Sequence, residues 1–369
     1  MTKSEYLSQQ LLTYIGNKRK LIDPIEREVI AIKDALGVTT LRSLDGFSGS
    51  GVVSRMLKYH SHALYVNDME PYCDCVNRCF LSQPDEPLLQ QIQEAISTLN
   101  SIHHEHEGVI CQEYAPRSTD NIQPEERVFY TRENALTIDT IRHMIDRYSP
   151  QIRPYLLASL LVKASIHTNT SGVFKGFHKK DGIGHFGGKG ENDVTLRIKR
   201  PIVLDMPIFS DQDHRCDVYY YNRDILEIIS EMPMLDLVYL DPPYNQHPYG
   251  SNYFMLNTIL RNQAGEELSR VSGIPKDWNH SDYNYKKSAS TSLQALLTGL
   301  RTKARYIILS YNNEGIIEKQ RLIDIFNTVG YSWNLREITY QTYRGSRNLK
   351  QRDNTVQEYL WILRNTHVN

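Results

Sequence analysis

Chemistry in this 369-residue chain concentrates in four consecutive residues, Asp241, Pro242, Pro243 and Tyr244. They follow the apolar run MLDLVYL (234–240), which reads as a buried strand. Prolines cannot continue a strand ladder, so the strand must stop there. The two rings fix the backbone and aim their carbonyls in set directions. The Asp241 carboxylate and the Pro242 carbonyl can then accept two hydrogens from a planar amine, while the Tyr244 ring stacks on its face. The plainer alternative is a strand ended by prolines with a solvated acid. The placement favours the amine reader, because open α/β sheets bind ligands at the carboxyl ends of their strands.

A second group lies upstream. In LDGFSGSG (44–51) a strand runs through glycines into a helix starting near Val52. Such a turn brings backbone close to a ligand and points helix N–H groups at it. The order of Gly46, Gly49 and Gly51 is not that of the dinucleotide fingerprint. A ligand-free tight turn is the alternative. About 20 residues further on, Asp68 is placed to accept hydrogen bonds from ribose hydroxyls. It could equally cap a helix starting at Glu70–Pro71.

These residues need elements to hold them. Short β-branched or aromatic runs bounded by turn residues predict strands at 40–47, 62–68, 217–224, 234–241 and 304–311. TVQEYLWILRN (355–365) predicts one more, antiparallel to the rest. Helical patterns occupy 51–60 and 318–330. The alternation predicts a doubly wound α/β fold with a largely parallel sheet. About 150 residues separate the second strand from the third, where a crossover needs only a dozen or more. The excess predicts an inserted domain at 81–214, within a domain formed by 1–80 and 215–369. Its first part, 86–166, reads as helical, and 168–192 as a glycine- and lysine-rich loop or hairpin.

Composition sets outer bounds. Lys and Arg total 42 against 43 Asp and Glu, so any attraction to a polyanion must come from a local patch. Residues 151–200 hold nine Lys/Arg and three Asp/Glu, an excess of six that suits a phosphate backbone or a solvated loop. No apolar run approaches the ~18–20 residues that span a bilayer. The first residues have no apolar signal-peptide core, and five unevenly spaced cysteines fit a reducing compartment without disulfides. A cytoplasmic protein is therefore expected. Cys73, Cys75 and Cys79 with His62 do not follow a usual zinc spacing, and the His103, His104 and His106 group reads as an exposed helix end. No metal is expected.

Taken together, DPPY and the glycine turn resemble S-adenosylmethionine-dependent DNA adenine-N6 methyltransferases of the Dam-like, or D12, class, in its α subgroup. TYIGNKRKLI (13–22) looks like their N-terminal cofactor motif, through Tyr14 and Lys18. LDGFSGSG matches D-x-F-x-G-x-G through Asp45, Phe47, Gly49 and Gly51. Asp68 matches the ribose-binding acid, and NRDIL (222–226) the motif whose acid, Asp224, meets the cofactor adenine. YFMLNTI (253–259) and ILSYNNEG (308–315) resemble later family motifs. The order of lysine motif, glycine turn, long insertion and DPPY is more specific than any single motif.

The resemblance implies a Rossmann-like methyltransferase fold, with a mostly parallel seven-stranded sheet, an antiparallel C-terminal strand and an inserted DNA-recognition domain, and S-adenosyl-L-methionine as cofactor. It implies that Asp241, Pro242, Pro243 and Tyr244 act on an adenine flipped out of double-stranded DNA, with Asp241 also at the cofactor. Lys175, Lys179, Lys180, Tyr253, Arg344 and Arg347 are the candidate DNA contacts. A cognate restriction endonuclease is a possible separate partner, and a prokaryotic or phage origin is expected. The alternatives are an RNA or guanine-N2 methyltransferase, some of which also carry DPPY, and a non-catalytic DNA-binding module. Cytosine-N4 chemistry fits less well, since that class typically has Ser where Asp241 stands.

Overall fold

The computed structural model describes residues 3–187, 194–211, 215–341 and 355–366. Two compact units divide the chain. One comprises Lys18–Met69, Gln212–Pro248 and His280–Asn369. The other comprises Met1–Asn17, Glu70–Asp211 and Tyr249–Asn279.

The first unit holds the sheet. Numbering strands along the whole chain, it contains β1 (Leu41–Asp45), β2 (Ser61–Asn67), β5 (Asp217–Tyr221), β6 (Leu235–Leu240), β7 (Ala304–Asn312), β8 (Tyr331–Gln341) and β9 (Thr355–Asn365). Their spatial order is β5-β2-β1-β6-β7-β9-β8. All pairs are parallel except those of β9, which runs antiparallel to both β7 and β8. This is the Rossmann-like arrangement that the resemblance implied. From β1 the chain steps outward to β2 and β5, then returns to the other flank of β1 as β6 and β7. The reversal lies between β1 and β6, the place where such sheets open a crevice for ligands.

The pattern of burial explains these strands. β6, LDLVYL, is buried at all positions but Asp236, as expected of a parallel strand covered on both faces. Leu44, Val238, Leu240, Ile307, Leu309, Trp361 and Leu363 form one core with the buried faces of the helices Ala289–Leu300 and Lys319–Val329. β8, at the sheet's edge, has no run of buried residues; exposed and part-buried positions dominate. A short 3-10 turn, Lys18–Leu21, runs into the helix Ile22–Leu36. That helix buries Ile22, Ile25, Val29 and Ile32 at helical spacing, and so fixes where Lys18 sits.

The second unit is mainly helical, with Pro71–Phe80, Glu86–Ser101, Arg132–Ile145, Arg153–Ile166 and Phe254–Arg261 around a core of its own. Its boundaries reach beyond the inserted segment read from sequence: 1–17, 70–80 and 249–279 also belong to it. Within it, β3 (Lys179–Lys180) and β4 (Ile183–Gly184) pair antiparallel. They are joined by Asp181 and Gly182, both at positive φ (51° and 83°), the backbone that two-residue hairpins demand and that Asp-Gly readily supplies. No helix among the described residues is long and apolar enough to cross a membrane.

Candidate active site

The site residues of the sheet unit gather at the carboxyl ends of β1, β2 and β6. β1 ends at Asp45, paired in register with Tyr239, two residues before Asp241. The chain then turns on Gly49 and Gly51, at φ 50° and 76°, before the helix Val52–Lys58. A side chain would be strained at either glycine. The turn is also tight at Gly46, where a Cβ would sit 2.9 Å from both Ile225 Cδ1 and Leu240 Cδ2.

Two acids brace this turn. Asp45, fully buried, accepts a 2.6 Å hydrogen bond from the Ser54 hydroxyl at its Oδ2. Its Oδ1 is buried with no hydrogen-bond partner among the described residues. Asp68, just past β2, accepts the Gly49 N–H at 2.7 Å. The capping alternative for Asp68 is not what the chain adopts: the N-cap of helix Pro71–Phe80 is Glu70, without a side-chain capping bond. Asp224 does cap a helix, Ile225–Ile229, by accepting the Leu226 N–H at 2.8 Å. Phe47 packs edge-on against Tyr283, with centroids 5.2 Å apart.

The centre of the site is an ionic cluster. Lys18 Nζ lies 3.0 Å from Asp241 Oδ1 and 2.9 Å from Glu358 Oε1. Lys18 and Glu358 are 4% and 0% exposed, and Asp241 17%. Lys18 Nζ is 5.2 Å from the Tyr244 ring centroid, and the Tyr244 ring meets Tyr311 edge-on. Pro242 is buried. The Tyr244 carbonyl accepts the Ile316 N–H at 2.9 Å, which ties the proline segment to the loop that follows β7. Burial alone would lower the Lys18 ammonium, but Asp241 and Glu358 hold it well above the usual lysine range. Burial pushes Asp241 up to about 7, with Lys18 pulling it down and Glu358 pushing it further up. Asp45 is likewise pushed up to about 7, by burial first, then by Asp241 and Asp68 against the Ser54 hydrogen bond.

Asp45 therefore carries a pH signature. Its carboxyl binds a proton more tightly folded than unfolded, so its contribution favours the fold below the unfolded value near 4. That contribution is lost as pH rises to about 7. Asp45→Asn removes the ionisation and keeps an acceptor for Ser54. The stability difference, wild type minus variant, should fall by up to about 4 kcal/mol between pH 4 and pH 8, at roughly 1.4 kcal/mol per pH unit. Urea melts of the ligand-free protein across that range check it, and a flat difference refutes it.

The remaining candidates among the described residues belong to the helical unit. Tyr14 stacks on Tyr249 and Tyr253, with centroids 4.9 and 4.8 Å apart. Tyr253 is 1% exposed and its hydroxyl accepts the Ile15 N–H at 2.7 Å, so this candidate DNA contact is a packed aromatic here. Lys175, Lys179 and Lys180 are exposed, the last two on β3. Other members of the basic stretch turn inward. Arg197 donates to the carbonyls of Ile166, Thr168 and Thr170, and Lys163 pairs with Asp205. Cys73, Cys75 and Cys79 lie buried along the helix Pro71–Phe80. Arg344 and Arg347 lie outside the described residues. Sequence reading passed over Glu358. Its signal was an acid in TVQEYLWILRN on the strand face shared with Val356 and Leu360, both buried.

Comparison with known proteins gives a consistent answer. The profile of the D12 class N6 adenine-specific DNA methyltransferases matches residues 14–200 and 205–325. The Type II methyltransferase M.NlaIII of Neisseria lactamica is 28% identical over 365 residues, covering 96% of this chain and 100% of the relative. The Type II methyltransferase M.CviAII of Paramecium bursaria Chlorella virus 1 is 27% identical over 356 residues, 95% of this chain and 97% of the relative. The modification methylase StsI of Streptococcus sanguinis is 28% identical over 370 residues, covering 96% of this chain but 52% of the relative.

Proposed function

Because this chain belongs to the D12 class N6 adenine-specific DNA methyltransferases, we propose that it takes its methyl group from S-adenosylmethionine and that Asp241, Pro242 and Tyr244 hold the receiving adenine. The observation that carries the reading is the Lys18–Asp241–Glu358 cluster at the end of β6, beside the reversal of strand order. One ammonium against two carboxylates leaves one negative charge when all three are ionised. That excess, and the buried Oδ1 of Asp45 without a partner among the described residues, fit a nucleoside bearing a positive sulfur. When bound, S-adenosylmethionine supplies a methyl group on that sulfur. On the residue assignments of the family motifs, Asp68, Asp224, Asp45, Phe47, Gly49, Gly51, Tyr14 and Lys18 bind it.

The protein's own work is positioning and charge stabilisation. The lone pair of adenine N6 is delocalised into the ring. Asp241 and the Pro242 carbonyl accept the two N6 hydrogens and favour a more localised, nucleophilic nitrogen. Tyr244 stacks on the purine and keeps that nitrogen in line. Asp241 need not be a strong base, because the nitrogen loses its proton readily once it has been methylated. N6 is stacked and paired in duplex DNA, so the base is flipped out first. Target recognition falls to the inserted region, with Lys175, Lys179 and Lys180 on the phosphates. The Type II and modification names of the relatives support a separately acting restriction endonuclease that shares the target sequence.

Transfer of labelled methyl from S-adenosylmethionine to duplex DNA, followed by nucleoside analysis, tests this. N6-methyladenine at one recurring sequence is the expected product. Label in ribosomal RNA, in guanine or in cytosine would overturn it.

A further inference from the structure

Glu358 adds a second carboxylate to Lys18, and its placement is costly. It sits within the antiparallel strand β9, fully buried, on the strand face of Val356 and Leu360. A carboxylate there loses its hydration, at a cost of several kcal/mol that only good partners offset. Glu358 Oε1 has two partners, the Ser310 hydroxyl and, at 2.9 Å, Lys18 Nζ. Its Oε2 is buried with no hydrogen-bond partner among the described residues. A glutamine or methionine would fill the same space without a charge to desolvate. The acid therefore calls for an electrostatic explanation, and Lys18 supplies one, because the same Nζ lies 3.0 Å from Asp241.

We infer that Glu358 is a positioning residue for methyl transfer: by sharing Lys18 it prevents a one-to-one Lys18–Asp241 ion pair and keeps Asp241 a stronger hydrogen-bond acceptor. This rests on the reading of Asp241 as the acceptor for adenine N6. In an isolated pair, the whole lysine charge would stabilise the Asp241 carboxylate and weaken its pull on another donor. A second carboxylate on the same ammonium divides that field and adds its own repulsion. The direction agrees with burial and Glu358 together raising Asp241 against Lys18. Among the described residues, the ionisable groups facing this cluster are Lys18 from the 3-10 turn, Glu358 from β9, Tyr239 from β6, Asp45 from β1 and Tyr244. The phenol of Tyr239 is pushed up by its burial and by Asp241, so it stays neutral through the range that matters. Asp45 is common to wild type and variant.

Glu358→Gln keeps the shape and removes the charge. Side-chain carboxyl (Cγ) ¹³C labelling of aspartate, with Asp241→Asn to assign the signal, follows Asp241 in the ligand-free protein. Its titration midpoint should drop by about one pH unit or more in the variant, and an unmoved midpoint overturns the inference. If the glutamine variant does not fold, carboxyl-¹³C labelling of glutamate in the wild-type protein decides instead. A Glu358 that carries its charge at pH 7 supports the inference, and a protonated one overturns it. The acid limb of the rate–pH profile provides the separate check on Asp241. A limb that follows the midpoint supports both assignments. A limb that stays while the midpoint moves leaves the coupling intact and removes Asp241 from the proton contacts of N6. Loss of packing alone would lower the rate at every pH and shift neither curve.

Discussion

Asp241→Ala should abolish methyl transfer, by on the order of 10³-fold or more, and leave a folded protein. The two halves of that expectation have separate physical grounds. Activity is lost because no other described side chain stands where Asp241 ends β6, and the Pro242 carbonyl alone accepts only one of the two N6 hydrogens. Folding survives because Lys18 keeps a partner. Glu358 remains 2.9 Å from its Nζ, so the cluster changes from two carboxylates on one ammonium to a one-to-one pair. Removing one partner from a buried pair normally strands a charge and costs about 3–5 kcal/mol. Here the deletion takes away the excess charge, and thermal stability at pH 8 should stay level or rise. Asp241→Asn makes the test stricter. Its amide nitrogen is a donor facing donors, so it retains the shape of the site and still loses the rate. Circular dichroism melts and steady-state methyl transfer read the two halves independently. Turnover near the wild-type rate in either variant refutes the assignment of Asp241.

This separability follows from how the site is built, and it also accounts for what the sequence made visible. The strands carrying site residues were legible because β1, β2 and β6 are short apolar or aromatic runs ended by Gly, Asp or Pro. Asp241 could be placed at a strand end because Pro242 permits nothing else. β8 lacked such a signature. Edge strands blunt their apolar character to avoid pairing with other chains, and SWNLREITY carries too many polar residues to stand out. Pairing across long chain separation was out of reach. Lys18 and Glu358 are 340 positions apart in sequence, and nothing local to QEYLWIL announces a lysine opposite it. The unit boundaries were hidden for a related reason. Tyr249–Asn279 begins five residues after DPPY but belongs with the helical unit. Its partners there include Glu70, whose carboxylate accepts from the Asn257 amide at 2.7 Å. Asp68 shows a further limit. Its position past a strand suited either a cap or a ligand contact, and the bond to Gly49 N–H joins residues 19 apart, beyond any local sequence signal. That bond makes the acid part of the glycine turn without competing with a ribose role, since a carboxylate has several acceptor sites.

Lys18→Met should have the largest effect on stability, and its sign with pH is fixed by the same cluster. Methionine retains most of the buried volume and removes the cation that contacts both Asp241 and Glu358. Two buried carboxylates are then left facing each other, and one of them must take up a proton at neutral pH. Their folded-state proton affinities rise well above the unfolded values near 4. Stability is therefore retained at low pH and lost as pH rises through the raised values. The variant should match wild type most closely near pH 5 and be about 3–5 kcal/mol less stable near pH 8. The cofactor prediction runs through the same proton. One ammonium and two carboxylates carry a net charge of −1, and two carboxyl groups sharing one proton carry −1 as well. The field on a positive sulfur is thus nearly unchanged near pH 7, and any change in affinity reports a lost contact. If Lys18 contacts the cofactor, the dissociation constant for S-adenosylmethionine should rise roughly 10-fold or more, the worth of a charge-assisted hydrogen bond. S-adenosylhomocysteine, neutral at sulfur, should weaken by a similar factor. Calorimetry with both ligands at pH 7 measures this. An unchanged constant for both would take Lys18 out of the cofactor site and leave it as the counter-ion that lets two acids share the end of one sheet.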